Sequence, residues 1–205
     1  MDKHKGFFVS IEGIDGSGKT TFCSRLADRL APHQLVLIRE PGSTVVSEKI
    51  RDLLLDAKNV GIKPRTEAML YASSRAQLVE EIIIPALQLG KIVLADRYID
   101  STLAYQGYGR GMDLGFLQEL NRLATTGITP DLTILLDLDP AVAKLRKNPE
   151  ETDRLEMEGL AFQQRVREGY LALAADNSQR IKIIPSDQDP EQIVLQAETL
   201  IKARF

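Results

Sequence analysis

Short apolar, β-branched runs recur along the chain, and between them apolar positions fall at helical spacing. Residues 7–11, 35–38, 92–95, 132–138 and 181–184 are such runs, and each reads as a strand covered on both faces. Phe22, Leu26 and Leu30 stand four apart and predict a helix after the first run. Phe116, Leu117, Leu120, Leu123 and Ala124 form one stripe, opened by Asp113 as N-cap and closed by Gly127. Asp139-Pro140 and Asp189-Pro190 each place a capping carboxylate before a proline at the first helical position. The second of these opens a last helix with the stripe Ile193, Val194, Ala197, Leu200 and Ile201. A helical stretch from about residue 67 to 89 contains Pro85, which is expected to kink or end it near Ile84. Five strands alternating with helices imply an α/β fold, a parallel sheet with helices on both faces. In such a sheet ligands bind beyond the carboxyl ends of the strands.

Composition narrows the class. At 43% hydrophobic and 27% charged, 205 residues are enough for one good core, and no Pro/Gly/Ser-rich or charged linker divides them. The expectation is one domain over 1–205. A net charge of −3 gives no support to a nucleic-acid or membrane-surface role. The first apolar run is broken by Ser10, Glu12 and Asp15, so it is neither an export signal nor a membrane span, and a cytoplasmic location is expected. The single cysteine, Cys23, rules out an internal disulfide and reads as a small core residue. With only His4 and His33 beside it, a usual zinc site cannot be assembled.

The chemistry starts at Gly13-Ile14-Asp15-Gly16-Ser17-Gly18-Lys19-Thr20, which fits G-x-x-x-x-G-K-[ST] between a predicted strand and a predicted helix. In that context the glycines let backbone N–H groups and the helix N-terminus converge on nucleotide phosphates. Lys19 is placed to reach the β- and γ-phosphates, and the Thr20 hydroxyl to ligate Mg²⁺. Two further strands end in charge: Arg39-Glu40-Pro41-Gly42 after the second, Asp96-Arg97-Tyr98 after the third. Either pair can be an ion pair tying loops together. Asp96 also suits Mg²⁺ opposite Thr20, and Arg97 offers a planar fork for a second phosphate. Two phosphate-binding devices on one rim suggest a donor and an acceptor.

These stretches, with Tyr71-Ala72-Ser73-Ser74-Arg75 and Ser101-Thr102-Leu103-Ala104-Tyr105-Gln106-Gly107, make the chain resemble the thymidylate kinases, bacterial branch. That family consists of P-loop nucleoside monophosphate kinases that phosphorylate dTMP. The resemblance runs from Phe7 to about the last helix. It implies a P-loop NTPase fold, ATP as co-substrate, Mg²⁺ as cofactor, a homodimer and a lid at about 144–157. By resemblance, Tyr71 stacks on thymine, Arg75 donates to the base O4, Gln106 reads another base edge, and Tyr105 sits against the sugar C2′. Arg97 and Arg39 hold the acceptor phosphate, Asp15 faces that phosphate or its metal, and Pro41 follows a cis peptide bond. Cytosine carries an amine at the position Arg75 reads, so discrimination against it is expected to be large. A uracil base lacks only a methyl group, which separates it from thymine by about 1–3 kcal/mol. Ser43 stands where the bacterial pattern often has glycine. The loop 185–190 lies where the family's adenine contacts arise.

The lid departs from the family. Where one branch of the family carries a basic residue in the P-loop the neighbourhood here reads Gly16-Ser17, and Pro149 stands near where the other branch's catalytic lid arginine would align. The available cations are Arg146, Lys147 and Arg154; Arg154, helped by Arg146 or Lys147, is expected to close over the phosphates. A solvated charged loop is the competing reading. A deoxynucleoside or guanylate kinase would share the P-loop and Asp96-Arg97 but not Tyr71, Arg75, Tyr105 and Gln106 together. A GTPase would need an Asn-Lys-x-Asp sequence that does not occur. A nucleotide sensor without turnover has the same motifs, and a panel of nucleoside monophosphates separates all of these.

Overall fold

The computed structural model describes residues 6–31, 34–146 and 154–204. Five parallel strands, β1 (Phe7–Glu12), β2 (Leu35–Arg39), β3 (Ile92–Asp96), β4 (Leu132–Asp137) and β5 (Ile181–Pro185), form one sheet in the order β2-β3-β1-β4-β5. This is the doubly wound α/β architecture expected from the alternation of strands and helices. β1 lies at its centre, with Ile11 opposite Asp96 of β3 and Glu12 opposite Leu135 of β4. The chain therefore leaves β1, β2 and β3 on one rim with Gly13, Glu40 and Arg97 as neighbours in space.

Successive side chains of a strand point to opposite faces, and the core divides accordingly. On one face Val9, Ile11, Leu94 and Ile134 pack against Phe22, Cys23, Leu26 and Leu30 of α1 (Lys19–Leu30) and against Ile193, Val194, Ala197 and Ile201 of α9 (Pro190–Lys202). Cys23 is a buried core residue, and burial pushes its thiol well up, so it is a packing group. On the other face Phe8, Val93 and Ala95 meet Leu78, Val79, Ile83 and Leu87, and Leu135 meets Phe162, Val166 and Tyr170 of α8 (Leu160–Asp176).

Pro85 does not simply kink its helix. α3 (Pro64–Leu78) widens into a π-helical turn, Val79–Ile83, before α4 (Ile84–Gln88) resumes. A proline lacks an N–H and crowds the carbonyl four residues earlier; a wider turn just before it relieves both. α5 (Ile99–Thr102) widens in the same way into the π-helical segment Leu103–Gly109. α6 (Leu114–Ala124) is capped as expected: Asp113 accepts from Phe116 N at 2.7 Å, and Gly127, at φ 81°, donates back to Arg122 O at 3.0 Å. α7 (Pro140–Leu145) opens at Asp139, which accepts from Ala141 N at 2.8 Å. A helix that the sequence pattern did not announce, α2 (Val45–Leu55), follows Pro41-Gly42.

Candidate active site

The phosphate loop is shaped by two glycines with different tasks. Gly13 sits at φ 145°, and a Cβ there would stand 2.6 Å from Leu136 O, so only glycine lets the loop lie against β4. Gly18, at φ 86°, turns the chain into α1. Lys19, the first residue of α1, is buried, and its Nζ donates to Ile14 O at 2.8 Å. Burial, with the Arg97 guanidinium close by, pushes its ammonium down to about 8, against the pull of Asp15 and Asp96. Thr20 Oγ1 donates to Asp96 Oδ2 at 3.2 Å, so the two candidate Mg²⁺ ligands share one spot at the loop mouth. Among the described residues no group of three or more His, Cys, Asp or Glu could hold a metal. Two hard oxygens beside a phosphate loop suit Mg²⁺, which takes only one or two protein ligands and completes its shell with phosphate and water.

A cavity of about 370 Å³ opens on the far side of the loop, between α1 and the segment after β5. Ser17, Arg146, Ser186 and Gln188 line it. The Ser17 and Ser186 hydroxyls are buried there without a hydrogen-bond partner, and Arg146 Nη1 donates to Ser186 O at 3.2 Å. On the near side a larger cavity of about 690 Å³ runs from Lys19 and Thr20 to Arg39, Arg51 and Arg97. Arg97 adopts a left-handed φ of 72°, which turns its side chain off the end of β3 and across this junction. It pairs with Asp15, stacks 4.9 Å over Tyr105, and donates to Gly13 O at 2.9 Å and Tyr105 Oη at 3.0 Å. Tyr105 in turn donates to Asp15 Oδ2 at 2.9 Å. Behind Arg97 lies Glu12, fully buried, accepting from Tyr98 N at 2.8 Å, Ser101 Oγ at 2.6 Å and Tyr170 Oη at 2.9 Å. Burial, with Asp100 nearby, pushes its carboxyl up to about 7.

The third compartment adjoins the junction and shares Asp15, Glu40, Arg51 and Arg97 with it. Tyr71, Arg75, Tyr105 and Gln106 all line it, although they come from two separate helices. Tyr71 and Arg75 face it together because they stand one turn apart on α3. Arg75 is 2% exposed and commits every donor: Nε and Nη2 to Glu40, Nη1 to Thr102 Oγ1 at 2.9 Å and Asn121 Oδ1 at 2.6 Å, Nη2 also to Tyr98 O at 3.1 Å. The peptide bond Glu40–Pro41 is cis, as expected, and Pro41 lines this pocket.

The strand–loop–helix around Gly13–Thr20 is that of a P-loop fold, with the guanidinium of Arg97 beside the loop. The thymidylate kinase family model matches residues 11–197. The chain belongs to the thymidylate kinase family. A thymidylate kinase of Lactobacillus delbrueckii subsp. bulgaricus is 43% identical over 209 residues, covering 98% of each chain. One of Thermoanaerobacter sp. is 50% identical over 187 residues, covering 90% of this chain and 92% of its own. The crystal structure of the thymidylate kinase of Ehrlichia chaffeensis superposes with a TM-score of 0.81 at 33% identity, covering 96% of this chain and 98% of that one.

Within that family frame, two placements differ from the sequence reading. Arg154 does not reach over the phosphates here: it is buried, its Nε donates to Leu54 O at 2.9 Å, and its Nη2 stands 2.6 Å from Glu67 Oε2. A buried carboxylate attracts a nearby guanidinium more strongly than open solvent does, which explains where the side chain settles. Arg39 turns toward α2, pairing with Glu48 at 2.9 Å, while its backbone N donates to Ser43 Oγ at 2.8 Å. Ser43 adopts φ 72°, the backbone shape that glycine gives more readily. Lys147 and Pro149 lie outside the described residues. Arg51 was missed from sequence: it lines both the junction and the third compartment, and its Nη1 donates to Pro41 O at 2.8 Å. Its helix, α2, buries only Ser47 and Leu54, so no apolar stripe marks it. Glu12 and Glu67 were also missed, because the groups that hold each carboxylate come from distant parts of the chain.

Proposed function

We propose that the chain transfers the γ-phosphoryl group of ATP to the 5′-phosphate of dTMP, giving ADP and dTDP, with Mg²⁺ required. An acceptor phosphate oxygen attacks the γ-phosphorus in line, a new P–O bond forms, and the bond to the β,γ-bridging oxygen breaks. Gly13, Ile14, Asp15, Gly16, Ser17 and Gly18 cradle the donor phosphates through backbone N–H groups. Lys19 exchanges its bond to Ile14 O for phosphate oxygens, and adenine takes the cavity beside Arg146 and Ser186. Thr20 and Asp96 hold Mg²⁺, which when bound neutralises charge on the transferring group. Arg97 and Arg51 hold the acceptor phosphate, with Arg39 at the rim; Tyr71 stacks on the base, and Tyr105 excludes a ribose 2′-hydroxyl. Arg75 reaches the base O4 by sharing a donor now given to the neutral Thr102 hydroxyl. A homodimer and a cytoplasmic location complete this reading as family expectations.

The observation that carries the proposal is that Lys19 and Arg97, from different strand ends, face one junction with Asp15 beside both. Two polyanions brought together there need little else from the protein than position and positive charge. With ATP and Mg²⁺, a panel of nucleoside monophosphates is expected to give ADP fastest with dTMP. Lys19→Ala is expected to lose about 10³-fold or more in turnover while keeping its circular dichroism. A panel led by a purine, or full turnover in Lys19→Ala, rejects the assignment.

A further inference from the structure

Glu67 stands on α3 one turn before Tyr71, with no solvent exposure. Its Oε1 accepts from Gln106 Nε2 at 3.0 Å. Arg110 donates to it twice, from Nε and Nη2, both at 3.1 Å, and Arg154 Nη2 lies 2.6 Å from Oε2. Burial pushes this carboxyl up, but the bonds from Arg110 and Gln106 and the charges of both arginines outweigh it and hold it below the usual range. An ionised carboxylate only accepts hydrogen bonds, so of the two ends of the Gln106 amide only the NH₂ can face it. The carbonyl oxygen is then the end left for the pocket that Gln106 lines.

We infer that Glu67 sets base specificity at one remove, by locking the Gln106 amide so that an acceptor oxygen is presented to the acceptor base. The inference rests on the proposed dTMP site and names a positioning residue within it. Thymine carries a proton on N3 and donates to that oxygen. Cytosine has a bare lone pair at N3 and would meet it lone pair to lone pair. An unrestrained glutamine would turn its amide by 180° and greet cytosine with its NH₂, so the residue that reads the base is selective only because its neighbour forbids the turn. Arg110 and Arg154 keep the restraint charged.

The test is a double-mutant cycle of Glu67→Gln and Gln106→Leu, with kcat and KM measured separately for dTMP, dCMP and ATP. Glutamine at 67 can donate as well as accept, so the ratio of kcat/KM for dTMP over dCMP is expected to fall roughly tenfold, with the KM for ATP unchanged. In the Gln106→Leu background the same change at 67 is expected to move the ratio less than about twofold. A ratio held at its wild-type value in Glu67→Gln while Gln106→Leu lowers it overturns the inference and leaves the acceptor site standing. An equal fall with and without Gln106 also overturns it, since Glu67 would then act by another route. No phosphorylation of dTMP by the unaltered chain sinks the underlying site instead. Should Glu67→Gln not accumulate folded, Glu67→Asp, which draws the carboxylate back by one methylene, enters the same cycle with the same expected outcomes.

Discussion

Lys19 carries a proton that the proposed transfer needs and the fold does little to keep. Burial and Arg97 push its ammonium down to about 8, because both penalise a second positive charge in that loop. The protonated form is the one that binds phosphate, so activity is present below that value and lost above it. Nucleotide phosphates bring negative charge and raise the group again once bound. The pH profile of kcat/KM for ATP, which reports the free enzyme, should therefore fall above pH 8, whereas kcat at saturating ATP should hold to higher pH. Lys19→Arg, whose guanidinium does not titrate in this range, should abolish the fall in kcat/KM whatever its effect on rate. A flat wild-type profile through pH 9.5, about 1.5 units beyond, would refute this account of the lysine. Lys19 was legible as a candidate because it belongs to a local motif. The setting of Arg75 was not: the spacing from Tyr71 gave its side of the helix, but its partners Glu40, Tyr98, Thr102 and Asn121 come from three other stretches of the chain.

At the scale of elements, the residues proposed to meet the acceptor's sugar and base, Tyr105 and Gln106, sit on an irregular one. In the π-helical segment Leu103–Gly109, Arg110 N donates to Tyr105 O at 2.9 Å, five residues back, and this wider turn sets Tyr105 and Gln106 on the pocket wall together. The segment is pressed from behind by α8. A Cβ on Gly109 would stand 2.7 Å from the Phe162 ring, and one on Gly169 would stand 2.6 Å from the Tyr108 ring. Gly169 lies within a helix, where alanine alone would add about 1 kcal/mol of stability. The contact decides otherwise: Gly169→Ala is expected to destabilise the protein by about 1–3 kcal/mol, read from urea unfolding. It should also raise the KM for dTMP more than that for ATP, because the displaced segment carries the base pocket and not the P-loop. Added stability with unchanged KM for dTMP would show that α8 yields freely. Strands and capped helices were legible here because their signals are periodic, whereas α2 and the two π-helical turns break period, and only tertiary contacts define them.

Across the whole molecule, three compartments run side by side along one rim of the sheet, and the loop that leaves the central strand β1 borders them all. The strand's Ile11 and Val9 pack with α1 and α9, its Phe8 with the face that bears α3 and α4, and Gly13 follows directly from it. The strand order that puts β1 between β3 and β4 is what brings Asp96-Arg97 to the phosphate loop. The absence of any linker in the sequence suggested one domain, and a sheet shared by every core cluster gives that suggestion a mechanical consequence. Neither the base pocket nor the P-loop can melt while β1 stays paired, so unfolding should be one transition with coincident near- and far-ultraviolet dichroism. A ligand held by only one compartment should then stabilise everything. At a hundred times its Kd, dTMP alone should add about 2.7 kcal/mol to the single transition, and a non-hydrolysable ATP analogue alone should do the same. If dTMP instead shifts the near-ultraviolet signal of the tyrosine-lined pocket and leaves the far-ultraviolet transition where it was, the two halves fold apart. The central strand would then be a seam between two units and not their common support.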